Sequence, residues 1–141
     1  MRFANKIESI KNEILGIDYS LSVAFVAQHK SREINKKYRK KDKATNVLSF
    51  SLRRGEGELV LCPSVIKIEA KNFNRTYSEW LSHLVIHGML HLKGLKHSST
   101  MERAENFYYK KYDQEYFNRN RRRVLDDEGH SGRILKRRKK S

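Results

Sequence analysis

The stretch His87-Gly88-Met89-Leu90-His91-Leu92-Lys93-Gly94-Leu95-Lys96-His97 sets three histidines in the pattern HxxxHxxGxxH. His87 and His91 stand four apart, so on a helix they lie one turn apart on the same face, where both imidazoles can reach one divalent ion. Gly94 accepts the left-handed backbone conformation that ends a helix, and the chain then turns back to bring up His97 as a third ligand. Three ligands leave one position open for water or substrate, as in catalytic zinc sites, whereas a closed structural site takes a fourth ligand.

The surrounding residues predict the helix that this reading needs. Leu81, Leu84, Val85, Gly88, Met89 and Leu92 follow the spacing of one buried stripe, with His87 and His91 beside it. Thr76 and Glu79 form a capping-box pair that starts the helix before Trp80, and Gly94 ends it, giving a helix over about 77–92. His83 lies four before His87, so His83 and His87 form a competing ligand pair; only His87 and His91 combine with the Gly turn and His97. The bland alternative is three ordinary helix-flank histidines. Hydrolytic metalloproteases use HExxH, in which the Glu is the general base, and here that slot holds Gly88. The array therefore fits a zincin-like metal site but not ordinary proteolysis.

Outward from this helix, Phe3, Ile7, Ile10, Ile14 and Leu15 predict an amphipathic helix over 3–15 and a turn at Gly16. A strand is expected at 21–27, then a short helix from Ser31 through Glu33 and Ile34 to Tyr38, and a polar loop at Lys40-Lys41-Asp42-Lys43. Residues 45–50 read as a strand. Gly55 and Gly57 mark the connection to a second strand at 58–62, which Pro63 terminates. Residues 64–72 look helical. A last helix opens at Ser99, spaced to Glu102 as a capping box, and runs to about Asn118.

The chain has 141 residues and 38% hydrophobic content, enough for one core, and residues 1–118 are expected to form a single domain. The run Val23-Ala24-Phe25-Val26-Ala27 is too short to span a bilayer, and Met1-Arg2-Phe3-Ala4-Asn5-Lys6 leads into no signal-type apolar run, so no membrane association and a cytoplasmic location are expected. Cys62 is the one cysteine, which excludes an intramolecular disulfide and predicts a small buried core residue. Lys and Arg number 31 against 16 Asp and Glu, a net charge of +15, which suits a polyanionic partner, nucleic acid above all. Residues 119–141 hold ten Lys or Arg against three acids, so the excess extends well beyond them. They read as a basic, disordered tail, an arm that holds phosphates without reading sequence.

Two segments together resemble the YbeY-type endoribonucleases, bacterial metal-dependent enzymes of rRNA maturation. Tyr38-Arg39 through Asp42 to Thr45-Asn46-Val47-Leu48-Ser49-Phe50 is similar to the family's YRxxDxxT(D/N)VLSF segment, and His87 to His97 resembles its HGxLHLxGxxH motif. The resemblance covers roughly residues 20–110, with Gly57-Glu58-Leu59-Val60 where the family usually has Gly-Asp and an apolar strand. It implies metal ligands at His87, His91 and His97, one zinc per chain, a functional arginine at Arg39 and a neighbouring basic position at Lys41. It also implies an α+β, zincin-like fold: a mixed sheet of about four strands covered by about five helices. The partners it implies are single-stranded RNA or rRNA and the small ribosomal subunit or its assembly factors. Most members carry an Asp before the third His, where this chain has Lys96, and an aromatic before that, where it has Leu95.

The expected function is that of a metal-dependent single-strand endoribonuclease acting in rRNA maturation and ribosome assembly or quality control. In that chemistry a metal supplies a nucleophile and charge stabilisation, while Arg39 clamps the phosphate through its planar fork and Lys41 adds attraction. The alternative is a non-catalytic RNA-binding assembly factor with a structural metal, which explains the charge equally well. A metallopeptidase is the weaker rival.

Overall fold

A computed structural model describes residues 3–112. In chain order the elements are α1 (Phe3–Ile14), β1 (Ser20–Phe25), α2 (Gln28–Arg39), β2 (Val47–Arg53), β3 (Glu56–Leu61), α3 (Pro63–Asn72), α4 (Tyr77–Lys93) and α5 (Ser99–Tyr112). The sheet order is β1-β3-β2. The central strand β3 pairs in parallel with β1 from Ser20↔Glu56 to Phe25↔Leu61, and antiparallel with β2, Val47 opposite Leu61 and Ser51 opposite Gly57. The architecture is the expected α+β type with a mixed sheet and five helices. It differs in having three strands among the described residues rather than about four.

The helix that bears the histidines is the centre of the molecule. Val85, Ile86 and Met89 of α4 are fully buried and Leu90 nearly so. One side of α4 meets β2 and β3, while α1, α3 and α5 pack around the rest. Such a helix is apolar on most of its circumference, and each fully buried aliphatic side chain stabilises the fold by ~1.5–3 kcal/mol. The predicted start is borne out: Thr76 Oγ1 accepts from the Glu79 N–H at 3.1 Å, and Glu79 Oε1 accepts from the Thr76 N–H at 2.8 Å. Cys62 is buried as expected, and Pro63 both ends β3 and opens α3 at a position where its missing N–H costs nothing.

Several boundaries move. The helix expected from Ser31 begins at Gln28, and its N-cap, Ala27, makes no side-chain hydrogen bond. The last helix opens at Ser99 as expected, but its cap is Ser98, whose Oγ accepts from the Met101 N–H at 3.2 Å. Gly57 lies inside β3, not in the connection, and a Cβ there would run into the Tyr19 hydroxyl. The continuation of the last helix to Asn118 and the basic segment 119–141 lie outside the described residues. No helix among the described residues is long and apolar enough to cross a membrane.

Candidate metal centre

Helix periodicity places His87 and His91 one turn apart, with ring centroids 4.6 Å apart and Nε2 atoms separated by 3.1 Å. Gly94 then adopts φ +107°, and the N–H groups of Gly94 and Leu95 close the helix on the carbonyls of His91 and Leu90 at 2.9 and 3.0 Å. The reversed chain carries His97 back to 5.1 Å from the His87 ring and 4.7 Å from the His91 ring. The three imidazoles present ligand nitrogens that all lie within 4.8 Å of one another.

The other ring nitrogens of His87 and His91 are committed elsewhere. His91 Nδ1 lies 3.0 Å from the Leu95 carbonyl oxygen, which only accepts, so the proton sits on Nδ1. His87 Nδ1 donates to Glu105 Oε2 at 2.7 Å. Both Nε2 lone pairs therefore face each other across 3.1 Å, an approach that a shared cation makes favourable. It is close to the ~3.3 Å expected between two nitrogens on a tetrahedral ion with bonds of ~2.0–2.1 Å. Burial first, and the neighbouring His87 second, push His91 below its ordinary value, which keeps the imidazole in its neutral, ligating form. The residues present fit a metal ion.

His83 has a different environment. It is buried, stacked on Trp80 at 4.7 Å and tilted against Tyr109 at 4.5 Å, with Nε2 3.5 Å from Glu105 Oε2. Desolvation, followed by the charges of Arg75 and His87, holds it well below the usual histidine value. His83, His87 and Glu105 also cluster, but on the Nδ1 side of His87, whose proton already binds Glu105. The Nε2 side, with three imidazoles, is the better site. Sequence reasoning missed Glu105. It reaches His87 from α5 across a tertiary contact, orienting the ring, and no sequence spacing announces it.

The triad lines a cleft of about 1540 Å³, larger than the ~300–1,000 Å³ pockets that enclose one small ligand. Arg39, the last residue of α2, lines the same cleft, whereas Lys41 is exposed and is not among the cleft residues. The segment that follows Arg39 is staked to α2 by side chains. Ser31 Oγ donates to the Thr45 carbonyl at 3.0 Å and accepts from its N–H at 2.9 Å; Asn35 Nδ2 donates to the Lys43 carbonyl at 2.8 Å; and Arg32 pairs with both oxygens of Asp42 at 2.7 and 3.3 Å. Lys40 turns the chain in the left-handed region, φ +61°. Lys96 is exposed outside the cleft, and Leu95 packs half-buried against the core. Gly88 faces the sheet: a Cβ there would come within 2.7 Å of Leu59 and 3.1 Å of Ser49 Oγ. A glutamate at the HExxH position has no room.

The family described as Endoribonuclease YbeY matches residues 1–119. A relative of that name from Colwellia psychrerythraea is 42% identical over 95 residues, 62% of this chain and 61% of its own. Another, from Staphylococcus carnosus, is 34% identical over 119 residues, 76% of this chain and 74% of its own. A third, from Cupriavidus necator, is 36% identical over 105 residues, 71% of this chain and 53% of its own. The chain thus spans between about half and three quarters of the length of these relatives. The solution structure of a Thermotoga maritima protein superposes with a TM-score of 0.61 at 30% identity, covering 82% of each chain. With the match running from the first helix through the histidine array to the end of the described helix α5, the chain belongs to the YbeY endoribonuclease family.

Proposed function

We propose that this protein is a metal-dependent endoribonuclease that cuts single-stranded RNA, with one zinc ion held by His87, His91 and His97, and that it acts in the cytoplasm in rRNA maturation and in ribosome assembly or quality control. The observation that carries the reading is the common cleft: three imidazoles and the guanidinium of Arg39 line it together, in a chain of net charge +15. Relatives named endoribonucleases give the substrate class.

In this reading Arg39 engages the scissile phosphate through two parallel N–H donors and stabilises the charge that grows on its oxygens. Glu105 and the Leu95 carbonyl hold His87 and His91 in the tautomer that turns Nε2 inward. Zinc at these nitrogens, when bound, supplies Lewis-acid charge and acidifies water towards neutrality. Lys41, outside the cleft, draws the RNA backbone in without fixing its geometry. The small ribosomal subunit or its assembly factors are the proposed partners, since they present such RNA.

The test is cleavage of an end-labelled single-stranded RNA by the full chain. Cleavage is expected with zinc, is expected to stop with chelator and return when zinc is restored, and to be absent in His91→Ala. Cleavage indifferent to chelator overturns the proposal. Tight RNA binding without cleavage under all conditions replaces it with the assembly-factor reading.

A further inference from the structure

Tyr38 directly precedes Arg39 at the end of α2 and lines the same cleft. It is 59% exposed, although Phe50 of β2 stands against it with ring centroids 5.3 Å apart and planes at 66°. Folding leaves most of this flat π surface in water. A lone exposed aromatic is commonplace on proteins, but three features set this one apart. Half-buried Phe50 braces the ring and limits its orientation. The backbone beneath is rigid, because buried Ser31 and Asn35 tie the segment after Arg39 back to α2. The surroundings are cationic: Arg39, Lys40 and Lys41 follow it, and the Lys37 ammonium lies 5.2 Å from the ring centroid.

We infer that Tyr38, braced by Phe50, is the stacking platform for one base of a single-stranded RNA, the nucleotide whose phosphate Arg39 engages. The inference rests on the RNA-cleaving reading for the identity of the ligand. A base in a single strand has a free π face and can be splayed onto an aromatic ring, whereas in a duplex both faces are occupied. The platform therefore selects single strands without reading their sequence. Lys37, on a long exposed side chain, gives up its place over the ring to the incoming base and turns to the phosphate. Arg39 fixes the backbone and Tyr38 fixes the base, so the two neighbours together set which phosphodiester faces the imidazoles.

The experiment measures affinity of the zinc-loaded full chain for a 2′-O-methylated single-stranded oligonucleotide, by fluorescence anisotropy at fixed salt. The oligonucleotide is used intact and with one abasic nucleotide moved along it. Tyr38→Ala is expected to bind the intact strand about tenfold more weakly, and Tyr38→Phe about as well as wild type. At one abasic position wild type should lose about the same tenfold, and its advantage over Tyr38→Ala should vanish. Unchanged binding by Tyr38→Ala, or an equal loss on every abasic strand, overturns the platform and leaves the ring a surface for a protein partner or a packing element. Cleavage of unmodified RNA by the same preparations separates the two readings. Base-dependent binding without cleavage keeps the platform and fails the nuclease, while a wild type that binds no RNA sinks both.

Discussion

On the α4 side of the cleft the functional groups rest on packing, and on the α2 side they rest on hydrogen bonds between side chains and backbone. His87 and His91 project from a helix whose Val85, Ile86 and Met89 are wholly buried, so their separation is set by the core. Arg39 and Tyr38 project from the exposed end of an amphipathic helix, and what holds them is Ser31, Asn35 and the Arg32–Asp42 pair. A core-set geometry suits an ion, whose bonds tolerate little error. A hydrogen-bonded rim suits a long, flexible polyanion, which needs charge and a surface to lie on.

This contrast predicts all-or-none losses on one wall and graded ones on the other. The largest effect is expected from His91→Ala, which should take zinc from about one per chain to none by elemental analysis of protein prepared without chelator, with the helical circular dichroism signal preserved. Retained metal would break the account of the α4 wall. Next comes Arg39→Ala, expected to lower single-turnover cleavage on the order of 100-fold at full zinc occupancy, with Arg39→Lys recovering only part. If all three proteins cut equally, Arg39 is a solvated surface charge and the rim has no catalytic share. Glu105→Gln should weaken zinc about tenfold in a chelator competition, because a neutral amide accepts from His87 Nδ1 less strongly than a carboxylate. An unchanged affinity would show that packing alone orients the ring. The smallest effect belongs to Lys96→Asp, expected to tighten zinc by at most about fivefold, since the side chain is exposed and its field is screened by water. A larger gain would place Lys96 at the ion.

What could be read from the sequence follows the same division. The capping box at Thr76 and Glu79, the turn at Gly94 and the return of His97 are local events, determined within a few residues, and all are legible in the chain. The start of α2 was not, because Ala27 offers no side-chain cap and Ser31, which looks like one, spends its hydroxyl on Thr45. Gly57 looked like a turn because a strand interior seldom needs glycine; here the Tyr19 hydroxyl occupies the space of its side chain. Glu105 was illegible for a stronger reason. Its role exists only once α5 has docked on α4, eighteen residues from its partner, so no window of sequence contains it.

That docking has a further consequence. The carboxylate that steadies His87 belongs to α5, which is also held by buried Met101 and Tyr109. Whatever ion the imidazoles hold is thereby coupled to the seating of the last described helix, and thermodynamic reciprocity runs both ways: a docked α5 tightens the ion, and the ion must resist the local opening of α5 by the same free energy. Metal-free protein is then a looser molecule, and amide exchange along 99–112 becomes a gauge of occupancy that can be read without any RNA at all.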